Sequence, residues 1–176
     1  LNNNRRLNIL DFGGSLGSSY FQNKNILKGL DELNWCIVEQ PHFVKEGLKT
    51  FEDDHLHFFY DIKSCIGKFK IDVILLASVI QYLEKPYELL DEIIERKIDY
   101  IVIDRTPVLT KGKDKITIQT VPKNIYKASY PCWFLNEVKL IGHLSSHYEL
   151  IFEGSSPERI NLKNAALKCF FLKRKK

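Results

Sequence analysis

The sequence predicts an α/β fold: a doubly wound, mainly parallel sheet of about seven strands that closes in a C-terminal antiparallel hairpin. Three observations carry this expectation. Short apolar runs alternate with amphipathic stretches along the whole chain; a glycine-rich turn separates the first apolar run from the first helical stretch; and a polar loop, not a helix, joins the last two apolar runs. At 176 residues the chain fits one domain, 1–176, large enough to bury a core without disulfide or metal staples. It holds no methionine, so its natural start is expected to precede Leu1.

The first strand is residues 7–12, and it stops at Gly13-Gly14-Ser15-Leu16-Gly17. Residues 18–33 then read as a helix, with apolar Tyr20, Phe21, Ile26, Leu27, Leu30 and Leu33 recurring along it. A second strand, 35–38, ends at Glu39, and Pro41 precedes a helix over 43–51. The third strand, 56–60, ends at Asp61. The fourth, 71–77, leads to a helix over 86–94, whose Tyr87, Leu89, Leu90, Ile93 and Ile94 keep helical spacing. A fifth strand, 100–103, ends at Asp104. Residues 106–131 hold many turn formers and are expected to cover the site. A helix over 134–144 and two strands, 148–152 and 166–172, complete the reading.

Composition excludes several classes. Apolar residues make up 44% and charged residues 27%, the balance of a globular chain rather than a disordered one. No apolar run reaches the roughly 18 residues that a membrane span needs. Cys36, Cys65, Cys132 and Cys169 are widely separated, which argues against a zinc knuckle or a disulfide framework and fits a reducing cytoplasm. Arg5, Arg6, Lys173, Arg174, Lys175 and Lys176 contribute six positive charges, so the net +4 belongs to the ends and the body stands at −2. That body does not suit nucleic acid as a partner.

The stretch Ile9-Leu10-Asp11-Phe12-Gly13-Gly14-Ser15-Leu16-Gly17 carries the most chemistry. Glycines between a strand and a helix let the backbone turn sharply and let a ligand approach the main chain. Glu39, at the end of the next strand, can accept hydrogen bonds from both hydroxyls of a ribose, with Gln40 beside it. Asp61 closes the third strand, and Ser78-Val79-Ile80-Gln81-Tyr82-Leu83 follows the fourth. In order and spacing these strand ends resemble the class I S-adenosylmethionine-dependent methyltransferases, with Ser15 standing where a middle glycine is usual. The resemblance covers residues 7–172 and implies a Rossmann-like fold with S-adenosylmethionine as cofactor. It implies contacts from Asp11, Gly13, Gly14, Ser15, Gly17, Glu39, Gln40, Ser78 and Val79, with Asp61 at the adenine amino group and Ile62 beside the ring. A narrower resemblance, to bacterial methyltransferases linked to surface-polysaccharide gene clusters, rests on Asp104-Arg105-Thr106-Pro107, Gln119-Thr120-Val121-Pro122 and the run from Tyr126 to Trp133.

Methyl transfer is an in-line displacement, so positioning the acceptor about 3 to 3.5 Å from the methyl carbon is the main task. A hydroxyl acceptor gains from a base, and the candidates are Asp104, Tyr82 and Tyr130, with His147 more remote. Arg105, Thr106, Tyr126 and Trp133 are the expected substrate contacts, Arg105 as a bidentate partner for phosphate or carboxylate. The expected acceptor is a small polar metabolite or a glycan or nucleotide-sugar intermediate. Two other classes stay open: a domain that binds the cofactor without turnover, and an NAD-binding oxidoreductase-like domain. The second shares the glycine turn and ribose acid but has Gly-x-Gly-x-x-Gly where this chain has Gly-x-Ser-x-Gly. An amino-directed nucleic-acid methyltransferase is disfavoured by Ser78-Val79-Ile80-Gln81 after the fourth strand. No metal site is expected, because His143 and His147 lack a glutamate after the first histidine and a third ligand.

Overall fold

The computed structural model describes residues 5–121, 124, 127–157 and 160–176. The chain divides into two compact units: Leu1–Ala77 with Ile98–Val102, and Ser78–Lys97 with Ile103–Lys176.

In the first unit the elements follow as β1 (Arg6–Phe12), α1 (Ser18–Leu27), β2 (Glu32–Val38), α2 (Pro41–Thr50), β3 (Leu56–Phe59), α3 (Ile62–Lys68) and β4 (Val73–Ala77). Strand β1 pairs in parallel with β2 on one side and β4 on the other, and β2 pairs in parallel with β3. The order is therefore β3-β2-β1-β4, followed by the opening of β5 (Tyr100–Leu109). Every residue of β2 from Leu33 to Val38 is buried, as expected of a central parallel strand covered on both faces. The core gathers Leu7, Ile9, Tyr20, Trp35, Ile37, Val44, Leu56 and Phe58, with Leu27, Leu30 and Phe51 packed on it.

Helix α1 is shorter than its periodicity predicts. Residues 30 and 33 continue the apolar spacing, but Leu30 N closes a turn on the Leu27 carbonyl. From Glu32 onward the backbone is engaged in the ladder with β1. A strand partner overrides a pattern that local spacing alone cannot distinguish from a helix. Helix α3 has no counterpart in the sequence reading. Asp61 starts it by accepting from Ser64 N at 2.7 Å, an N-cap that satisfies one of the helix's open amides.

The second unit holds a 3-10 turn (Ile80–Tyr82), α4 (Pro86–Glu95), the remainder of β5, β6 (Lys115–Thr120), β7 (Ser129–Asn136), α5 (Glu137–Ser145), β8 (Tyr148–Ser155) and β9 (Ala165–Arg174). Strand β9 pairs with β5 and, antiparallel, with β8, giving the expected C-terminal hairpin. The end of β5 also pairs in parallel with the end of β7, which forms an antiparallel ladder with β6. Residues 106–131, expected as an irregular cover, thus contain the rest of β5, all of β6 and the start of β7. Residues 134–136, expected in a helix, close β7 instead. Asn136 then caps α5, its side chain accepting from Lys139 N at 2.8 Å. Among the described residues no helix is long and apolar enough to cross a membrane.

Candidate functional site

The glycine turn leaves β1 through three residues with positive φ: Gly13 at 73°, Ser15 at 54° and Gly17 at 94°. Left-handed backbone is available to glycine without steric cost and is uncommon for serine. Two hydrogen bonds set the shape, Gly13 N to the Val38 carbonyl at 2.9 Å and Gly17 N to the Gly14 carbonyl at 3.0 Å. Gly14 is demanded by what lies beneath it. A Cβ there would stand 2.6 Å from the Asp11 carboxyl carbon, so any other side chain would collide with a buried acid.

Asp11 is 1% exposed. Trp35 Nε1 donates to its Oδ2 at 3.0 Å, while its Oδ1 is buried without a hydrogen-bond partner among the described residues. Burial raises the carboxyl pKa to about 6, against the lowering effect of the Trp35 bond and with a further push from Glu39. A buried acceptor left open directly under a bare glycine is an arrangement that structural needs alone do not account for.

Glu39 grips the same turn. Its Oε1 accepts from Ser15 N at 3.2 Å and its Oε2 from Gln40 N at 2.6 Å. A carboxylate has about four acceptor positions, so two remain. Residues 13–17, Glu39 and Gln40 are therefore linked by hydrogen bonds at the carboxyl ends of two adjacent parallel strands, with the Asp11 carboxyl packed beneath Gly14. Asp61 closes β3, next to β2 in the same unit, with its Oδ1 engaged as the α3 cap and its pKa lowered by the bonds from Ser64. Ile62, expected beside a ring, is buried at 4% exposure.

Ser78 and Val79 follow directly on β4 and belong to the second unit. Ser78 has φ 53° and Arg105 has φ 47°. Ser78 N donates to the Asp104 carbonyl at 2.9 Å, and Ser78 Oγ to the Arg105 carbonyl at 3.3 Å. Two non-glycine residues in left-handed backbone, tied to each other, form a local concentration of strain of the kind that collects at functional sites. Arg105 Nε pairs with Asp104 Oδ2 at 3.3 Å. The Cys169 thiol sits by the same acid, its pKa raised by burial first and by Asp104 next.

The other sequence-derived candidates divide. Tyr82 donates from its hydroxyl to Gln119 Oε1 at 3.0 Å, and Tyr130 meets its ring edge to face at 5.3 Å. Burial raises the Tyr82 pKa, and its hydroxyl serves here as a donor. Thr106 is fully buried, its hydroxyl directed to the Asp104 carbonyl, which removes it from the surface a substrate could meet. Trp133 is anchored by its Nε1 on the Leu83 carbonyl at 3.0 Å and lines a cleft of about 320 Å3 with Tyr87, Asp114 and Lys139. His147 is exposed at the end of α5, and His143 Nε2 lies 2.7 Å from Asp91 Oδ1. Tyr126 lies outside the described residues. No cluster of three or more potential metal ligands occurs among the described residues.

No protein-family model and no curated relative matches the chain. Solved structures do. A methyltransferase from Methanosarcina mazei named as S-adenosylmethionine-dependent matches with a TM-score of 0.65 at 11% identity, over 94% of this chain and 91% of that one. The fold is the Rossmann-like methyltransferase fold. The glycopeptide N-methyltransferase MtfA, solved with sinefungin, gives a TM-score of 0.54 at 10% identity, over 93% of this chain and 85% of that one. A variant of LepI, solved with S-adenosylhomocysteine and a substrate analogue, gives 0.64 at 11% identity, over 97% of this chain but only 43% of that one.

Proposed function

We propose that the chain binds S-adenosylmethionine at the glycine turn and transfers its methyl group to a small polar metabolite or a glycan or nucleotide-sugar intermediate. The observation that carries the reading is the open Oδ1 of buried Asp11 beneath Gly14, inside a turn whose Ser15 amide is held by Glu39. The fold adds support, since the matching structures include proteins solved with sinefungin and S-adenosylhomocysteine. When bound, the cofactor supplies a methyl group activated on a sulfonium. Glu39 would hold the ribose hydroxyls with its two remaining acceptor positions, and the Gly13–Gly17 backbone would admit the rest of the ligand closely. Gln40, Asp61, Ile62, Ser78 and Val79 complete the proposed contacts. Asp104, next to the left-handed Arg105 on β5, would take a proton from a hydroxyl acceptor, with Arg105 holding its carboxylate.

One observation favours binding without turnover: the Tyr82 hydroxyl is engaged with Gln119 and the Asp104 carboxylate with Arg105, so each candidate base already has a partner. Product formation from a metabolite pool separates the two readings.

Calorimetric titration with S-adenosylmethionine, S-adenosylhomocysteine and NAD tests the cofactor. Binding of the first two without NAD is expected; NAD alone would overturn the reading in favour of an oxidoreductase-like domain. Glu39→Ala should weaken cofactor binding roughly ten- to a hundredfold, the loss of one or two charge-assisted hydrogen bonds. His143→Ala, which removes contacts with Asp91 and the Tyr87 ring in the second unit, should leave it unchanged.

A further inference from the structure

The second unit contains a cleft of about 320 Å3 lined by Asp104, Arg105, Phe152, Gly154, Ser155 and Lys168, among others. Two irregularities turn its walls inward. On β5 the left-handed Arg105 interrupts the strand's alternation and projects as an exposed residue between Ile103 and the buried run from Thr106 to Leu109. On β8 the register slips between Leu150 and Phe152, opposite Leu172 and Phe171. Bulges re-aim side chains, and they recur at sites where a strand must present one.

Phe152 is 56% exposed. Its ring lies against the bare Cα of Gly154, where a Cβ would come within 3.0 and 3.1 Å of the ring carbons. An aromatic ring that touches the strand through two of its carbons and is more than half exposed can offer a face to the apolar face of another ring. The charges exclude an anion there. Arg105 is paired with Asp104, and Lys168 reaches Glu137 Oε1 at 2.5 Å as well as Glu153, so two cations face three carboxylates. A phosphate or carboxylate would meet three carboxylates against two cations, a surplus of like charge. What the cleft offers is the Phe152 face, the Ser155 hydroxyl and the acceptor oxygens of Asp104, a set that suits a neutral ring bearing hydroxyls.

We propose that this cleft, within the second unit, binds a neutral carbohydrate ring, the acceptor class of the methyl transfer read above, on which that part of the proposal rests. The Ser78 hydrogen bonds to the Asp104 and Arg105 carbonyls tie the segment after β4 to the bulge that carries the cleft. Asp104 would hold the acceptor hydroxyl and take up its proton, while the bound cofactor would supply the methyl group and keep the leaving electron pair on its sulfur. Phe152 is a specificity residue that the sequence reading missed; its only signal was the turn-forming Gly154-Ser155-Ser156 that follows.

The test is an NMR titration of the full 15N-labelled chain, without cofactor, using methyl α-glucopyranoside, methyl α-galactopyranoside and methyl α-rhamnopyranoside, with inorganic phosphate as the anionic comparison. At least one glycoside should shift the Gly154 and Ser155 amides saturably, and Phe152→Ala should weaken it roughly tenfold or more. Phe152→Tyr should retain binding, and Gly154→Ala, which displaces the ring, should weaken it while the remaining resonances stay in place. No response to any of the three glycosides, a stronger response to phosphate, or undiminished affinity in Phe152→Ala overturns the proposal. Cofactor calorimetry on the same variants is read separately, so loss of the glycoside site and loss of the methyltransferase reading are distinct results.

Discussion

Burial holds the Asp11 carboxyl at a pKa of about 6, whereas the same group in the unfolded chain ionises near 3.8. Between those values the unfolded chain has released a proton that the native protein keeps, so stability falls as pH rises through the window. Above pH 6 the deficit is constant, at about 3 kcal/mol. Asp11→Asn keeps an acceptor for Trp35 and carries no charge. It should therefore melt at a higher temperature than the parent at pH 7.5, with the gain shrinking towards pH 4. An equal gain at both values in thermal melts would show that the acid is not the origin. The same substitution should weaken S-adenosylmethionine binding if the open Oδ1 is the ligand's acceptor, a trade of stability for function. Asp11 and Glu39 could be read from sequence because each stands at the carboxyl end of a strand. The Trp35 bond could not, since it depends on the register of β1 against β2, and no local pattern encodes that.

At the scale of elements, α2 lies on β3 through Gly47, where a Cβ would stand 2.3 Å from the Phe58 ring. Gly47→Ala should therefore destabilise by about 1–3 kcal/mol through overpacking, despite alanine's better helix propensity. Urea unfolding measures this, and a stabilised variant would mean that Phe58 moves aside freely. The strands of the parallel sheet were legible because they are buried on both faces and read as unbroken apolar runs. Strand β6 was not, because almost every residue in it is exposed and Ile116 and Ile118 stand outward at 52% and 67%. Helix α3 escaped for a related reason: its seven residues are too few to establish a period, and its start depends on a cap formed by an acid that the sequence reading assigned to a ligand. The Phe152 platform depends on the register slip in β8, and such a slip is invisible in a single sequence.

Over the whole molecule, each unit carries one of the two tryptophans, Trp35 in the first and Trp133 in the second. Strand β5 opens in the first unit and ends in the second. A strand whose ladders serve both should couple their unfolding, so single-tryptophan variants, Trp35→Phe and Trp133→Phe, should give coincident fluorescence transitions in urea. Separated midpoints would show two independent folding units.

The interruption of the first unit also bears on synthesis. The chain leaves that unit after Ala77, runs through Ser78–Lys97 in the second, and returns at Ile98–Val102 to supply the strand beside β4. A nascent chain on the ribosome can therefore assemble β1, β2, β3 and β4 early, but it holds an uncovered sheet edge until residue 102 has emerged. Across that interval the buried apolar faces of β1 and β4 are the surfaces most exposed to misassembly with other chains.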